Sequence, residues 1–184
     1  MIFYGVEFLA SFVEVYIAYG LLERLFSGEK NKKLIAQRLV LSILLTGMIW
    51  GINRIKLFSY FTLLITVAWV SLTALKFYKI KIQYSILVVS FYVLCIYVID
   101  FLCLSMMGFV IDDKQFALKM VNGIGLERSI FIFLAKLLLI AAYFIFKKYV
   151  HYKNRYLETK FLLGITITGY LGVFFLVKQD HFAQ

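Results

Sequence analysis

The sequence predicts an all-α membrane protein, a bundle of about six transmembrane helices. Three observations carry that prediction. The chain is 63% hydrophobic, with a mean hydropathy of +0.89. It contains no proline in 184 residues. Its charged residues gather in short segments between long apolar runs. A water-soluble domain is roughly half apolar, so the excess here calls for a solvent other than water.

A membrane-crossing helix needs roughly 20 apolar residues. Four stretches reach that length with few or no charges: Leu34–Asn53, Leu57–Leu75, Ile82–Ile111 and Phe161–Val177. Two more, Ile2–Leu22 and Ser129–Phe146, do so with charges inside. Six spans take up most of residues 1–184, and no repeat, low-complexity tract or linker divides them. One multi-span membrane domain is the economical reading. The first span is read as an uncleaved helix. A signal peptide opens on a basic region, whereas Glu7 and Glu14 lie inside this run and no basic residue precedes it.

The formal net charge is +10. Nucleic acid is excluded as a partner, because the basic residues lie between the apolar spans, where membrane topology puts them. Cytoplasmic loops carry the excess of Lys and Arg. The segments around 24–38, 76–81 and 147–160 hold thirteen such residues and the alternate segments hold six. The count sets the N-terminus outside the cell, and six spans bring the C-terminus to the same face. The chain ends seven residues past its last span, at Lys178–Gln184. That tail reads as an external loop cut off before another span.

The longest outer segment runs from Asp112 to Arg128 and includes a Gly123-Ile124-Gly125 turn signal. Asp112, Asp113, Gly123, Gly125 and Arg128 are candidate ligand contacts, with a mere connector as the plainer reading. Gly47 and Gly51 are four apart, as are Gly164, Thr168 and Gly172. Small residues at that spacing let helix backbones approach, so both sets are expected to pack within the bundle.

Ionisable residues in lipid cost roughly 2.5–3.5 kcal/mol on insertion scales, so they should face the protein interior and find partners. Glu7, Ser11, Glu14 and Ala18 fall on one stripe of the first helix. Asp100 lies deep in the fourth span and Lys136 inside the fifth, and an ion pair between them is expected. These four charges either fix helix packing or line a polar cavity that binds a signal or moves protons. No catalytic set stands beside them. His151 and His181 sit in loops on opposite faces, away from Cys95 and Cys103, and the motifs of zinc proteases, serine hydrolases and phosphate loops are missing. The two cysteines have no metal-site spacing and read as buried small hydrophobes. No cofactor is expected in this chain.

Four segments resemble a known family. These are EFLASFVEVYIAYGLLERLF (Glu7–Phe26) with the basic GEKNKK after it, NRIKLFSYFTLL (Asn53–Leu64), FYVLCIYVIDFL with its internal Asp100, and LERSIFIFLAKLLL with Arg128 and Lys136. Together they look like the membrane sensor region of GHKL-type sensor histidine kinases of Gram-positive bacteria, a group that includes the accessory-gene-regulator receptors for peptide pheromones. The resemblance implies a two-component signalling role, an extracellular peptide as a ligand, a homodimer, and a response regulator as the downstream partner. It also implies a kinase module using ATP and Mg, preceded by a hairpin with the phosphorylated histidine. This sequence stops before that hairpin, and neither His151 nor His181 has the phosphoacceptor context. The resemblance therefore implies a receptor kinase without its kinase module.

Two rivals fit the size. One is the substrate-binding component of an energy-coupling small-molecule transporter, though no polar substrate cluster is visible beyond the four charges. The other is a membrane cysteine protease, which needs a His and a Cys together on the cytoplasmic side; this chain lacks that arrangement.

Overall fold

The computed structural model describes residues 2–26, 32–54, 59–111 and 126–149. These form five α-helices: α1 (Ile2–Phe26), α2 (Lys32–Arg54), α3 (Ser59–Tyr78), α4 (Ile82–Ile111) and α5 (Leu126–Tyr149). The expected sixth span, Phe161–Val177, lies outside the described residues, as do Gly164, Thr168 and Gly172. With no proline to remove a backbone donor, α4 runs unbroken for 30 residues. At ~1.5 Å per residue that is about 45 Å, longer than a ~30 Å hydrocarbon core. Among the described residues, four helices are long and apolar enough to cross a membrane. The apolar part of α3, Leu64–Tyr78, is shorter.

α1 is the centre of the bundle, touching all four other helices and packing most extensively on α2 and α5. It supplies Val15, Ile17, Ala18, Tyr19, Leu21, Leu22 and Leu25 to the buried cluster. Contacts fix the helix directions. Tyr92 and Tyr84 of α4 meet Glu14 and Phe26 of α1, so these two run antiparallel. Glu7, Glu14 and Arg24 meet Arg128, Lys136 and Lys147 in that order, so α1 and α5 run parallel. α4 therefore runs against both α1 and α5, as membrane crossings of alternate direction do.

Polarity runs opposite to that of a water-soluble bundle. Among the described residues, the fully buried polar side chains are the small hydroxyls Ser42, Thr46, Ser71 and Ser85. The outer faces carry large apolar side chains, among them Leu39, Ile43 and Leu44 on α2, Phe101, Leu102 and Phe109 on α4, and Phe133, Leu137 and Phe144 on α5. Small residues between helices and aliphatic ones outside suit association in lipid, where close packing replaces the hydrophobic effect. On α2 that small-residue stripe is Ser42 and Thr46. Among the described residues it is not Gly47 and Gly51: a side chain added at either glycine would meet nothing within 4 Å there. Gly47 is exposed. Among the described residues the α2 packing therefore uses the hydroxyl stripe, which the burial of Leu41, Leu45 and Ile49 turns inward.

The α3–α4 connection is the three-residue turn 79–81. Lys79 adopts φ 55°, a left-handed conformation that costs a residue with a Cβ about 1–2 kcal/mol. The chain reversal lets the Ile80 amide donate to the Ala74 carbonyl at 3.4 Å and seats the Ile80 side chain in the core. The Lys81 carbonyl then accepts from the Tyr84 and Ser85 amides, opening α4. Lys79→Gly is expected to stabilise the protein by about 0.5–1 kcal/mol, the relieved strain being partly offset by the greater freedom of an unfolded glycine. Thermal unfolding in detergent checks this; a lower midpoint would contradict the left-handed turn.

Candidate functional site: an intramembrane charge network beside an apolar pocket

Glu14 is the middle residue of the 25-residue α1, and Asp100 and Lys136 lie near the middles of α4 and α5. The alternating helix directions bring all three to one level. Lys136 Nζ stands 2.5 Å from Glu14 Oε1 and 3.3 Å from Asp100 Oδ1. The Lys136 side chain is only 13% exposed. The pair expected between Asp100 and Lys136 is present, and Glu14 joins it as a second partner from a third helix. The Tyr92 hydroxyl donates to the Glu14 backbone carbonyl at 2.8 Å, tying α4 to α1 at the same height.

Two turns toward the N-terminus of α1, Glu7 Oε1 lies 2.9 Å from Arg128 Nη2. Arg128 therefore belongs to the first turns of α5 and is engaged by Glu7; it does not lie in an outer loop as the sequence reading had it. The other outer-segment candidates, Asp112, Asp113, Gly123 and Gly125, lie outside the described residues.

A second polar cluster holds the opposite end. Arg38 Nη1 lies 3.4 Å from Glu23 Oε2, and its guanidinium stacks 3.6 Å over the Tyr16 ring. Gly20 makes room for it. A Cβ at that position would fall 2.9 Å from Arg38 Nη1 and 2.7 Å from the Tyr143 hydroxyl, so the bare backbone of α1 lets α2 and α5 reach across it. Nearby, Arg24 Nη2 donates to the Lys147 carbonyl at 3.3 Å. The sequence reading placed Arg38 among loop charges and did not single out Glu23 or Gly20. The usable signal was Glu23 itself, a carboxylate within reach of a helical arginine across a short hairpin.

Along α1, α4 and α5, just beyond the network, runs an apolar pocket of about 210 Å³. Its walls include Ile17 and Leu21 of α1, Phe91 and Cys95 of α4, and Leu139 and Phe146 of α5. Cys95 is a free thiol there, and Cys103 is buried. Among the described residues no three His, Cys, Asp or Glu side chains are grouped to hold a metal. Tyr19 and Thr73 share a 2.7 Å hydrogen bond between α1 and α3, with Thr73 donating to the Trp69 and Val70 carbonyls. That link is structural, since every group in it is used.

No known protein family, curated protein or solved structure matches this chain. The chemistry of the network must therefore speak for itself. It holds two carboxylates and one ammonium on three helices, an arrangement in which the ammonium can shift its contacts from one carboxylate to the other without breaking a covalent bond.

Removing one member of a buried ion network leaves the others uncompensated, at a cost on the order of 3–5 kcal/mol. Lys136→Met is expected to lose about that much stability. The triple variant Glu14→Gln, Asp100→Asn, Lys136→Met should recover most of it, because its neutral amides and thioether need no counter-charge. Thermal midpoints in detergent decide the matter. Equal losses in the single and triple variants would show that the three groups do not act as a unit.

Proposed function

We propose that this chain is the membrane signal-sensing domain of a two-component sensor histidine kinase, with its N-terminus outside the cell. The observation that carries the reading is the placement of Lys136 between carboxylates on two different helices. A sensor needs two packings of similar free energy that a ligand can tell apart, because a ligand shifts an equilibrium only by its differential affinity. A lysine with a choice of partner supplies such a pair: contact with Glu14 favours α5 against α1, and contact with Asp100 favours α5 against α4. The Glu7–Arg128 contact lies on the same α1–α5 seam, nearer the N-terminal end of both helices. A ligand arriving there acts on the seam directly. The resemblance of the four segments to GHKL-type sensors supports the kinase assignment, with a peptide pheromone as the candidate signal, ATP and Mg serving the kinase module, and a homodimer and response regulator as partners.

Orientation follows from charge. Arg24, Arg38, Lys76, Lys79, Lys81, Lys147 and Lys148 all occur where α1, α3 and α5 end and α2 and α4 begin. Lys32 and Lys33 also open α2, where a helix dipole disfavours cations by about 0.3–1 kcal/mol. A preference for basic residues on the cytoplasmic side outweighs that small penalty. The pocket favours a second reading, a small-molecule transporter subunit, since an apolar crevice between helices is a usual ligand site.

Two measurements separate these. The coding sequence past Gln184 should continue in frame into another span, a histidine-bearing hairpin and an ATP-binding domain; a stop codon beside genes for an ATPase pair would favour transport. A reporter active only in the cytoplasm should work when inserted at residues 79–81 and fail at residues 112–125. The reverse pattern would overturn the orientation.

A further inference from the structure

We infer that the crevice between α1, α4 and α5 binds one acyl chain of an anionic membrane lipid, with the headgroup held by Arg24 and Lys147. The inference concerns the lipid boundary of the bundle and does not rest on the kinase reading.

Depth is the first argument. On α1 the pocket wall runs from Ile17 to Leu25, eight residues or about 12 Å at ~1.5 Å each. Half of a ~30 Å hydrocarbon core is about 15 Å, so the crevice matches the reach of one leaflet's chains. Width is the second. A volume of about 210 Å³ spread over that length is a narrow slot, shaped for an extended chain rather than for a helix ~10 Å across.

Chemistry at the two ends is the third. At the inner end the pocket wall reaches Ile99 and Leu139, beside the charge network, where the Tyr92 hydroxyl is already committed to the Glu14 carbonyl. A polar occupant there would bury its own donors and acceptors without partners, at a cost of at least about 1–3 kcal/mol per group. An aliphatic chain has none to bury. At the outer end, Leu25 and Phe146 line the pocket and are the sequence neighbours of Arg24 and Lys147. The 3.3 Å bond from Arg24 to the Lys147 carbonyl brings these two basic residues together at its mouth. Arg24 Nε is buried and has no hydrogen-bond partner among the described residues. Lys147 is exposed. Oily walls one leaflet deep under a basic rim match an anionic lipid.

The test uses the full chain in phosphatidylcholine vesicles. Phe91→Trp in a Trp50→Phe, Trp69→Phe background places one fluorophore on the pocket wall. Its quenching is followed as phosphatidylglycerol or phosphatidylcholine with brominated chains is added. The inference expects half-quenching at a lower mole fraction of phosphatidylglycerol, by about fivefold for each basic side chain engaged. The preference should shrink as salt is raised and vanish in the Arg24→Gln, Lys147→Gln variant. The headgroup comparison and the salt series are made on one protein, so they stand even if that variant fails to fold. Equal quenching by both lipids would mean ordinary bilayer contact and overturn the inference. Quenching by neither would mean that another part of the chain fills the crevice, which overturns it too.

Discussion

An ammonium group cannot be left alone in hydrocarbon, and the meeting of α1, α4 and α5 is organised around that of Lys136. Each unpaired charge at such a depth costs roughly 2.5–3.5 kcal/mol even on the mildest scales. Glu14 and Asp100 answer from two sides. Buried ion pairs are a poor source of net stability, because desolvation cancels much of the attraction. Their stronger effect is on specificity. The residue offset between α1 and α5 is 121 at Glu7–Arg128, 122 at Glu14–Lys136 and 123 at Arg24–Lys147. A slip of one helical turn would break all three contacts together. Aliphatic packing could tolerate such a slip; the polar contacts do not.

The rest of the bundle follows from the same scarcity of water. Backbone groups are satisfied within long unbroken helices, as lipid requires. Where helices must approach, the interface uses groups with little bulk: Ser42 and Thr46 on α2, Ser71 on α3, Ser85 on α4 and Gly20 on α1. Large aliphatic and aromatic side chains turn outward, where lipid meets them without loss. Most basic residues of the described helices collect at one end, and several also lie at helix C-termini, where they complement the dipole.

Much of this was legible in the sequence because hydropathy and span length are local properties. The spans read as 34–53, 57–75 and 82–111 correspond to α2, α3 and α4 within a few residues, and the apolar runs of α1 and α5 were seen as well. The Asp100–Lys136 pair could be anticipated since each was a lone charge in an oily run. Glu14 was recognised as facing inward, but its partner was not, because a lysine's reach to two carboxylates depends on where three helices cross. Gly47 and Gly51 meet no described neighbour for a related reason: spacing by four puts residues on one face without saying which face is inside. Lys79 gave no signal at all, since a left-handed turn normally announces itself with Gly or Asn. Arg38 looked like a loop charge until Gly20 was seen to clear a place for it.

The apolar crevice and the charge network are not independent, because the same three helices form both. Leu139 and Ile99, which line the crevice, lie within one turn of Lys136 and beside Asp100 on their own helices. Anything that widens the gap between α4 and α5 lengthens the 3.3 Å contact to Asp100 before it disturbs the tighter contact to Glu14. Anything that draws α5 toward α4 does the opposite. By linkage, any bias that an occupant of the crevice places on the choice of carboxylate is returned in equal measure on its own binding. A bundle made only of aliphatic contacts would respond to such a wedge by gradual repacking. With a single ammonium divided between two carboxylates, the response concentrates in one pair of distances at the centre of the bundle, where a small helix displacement changes the partner of a full charge.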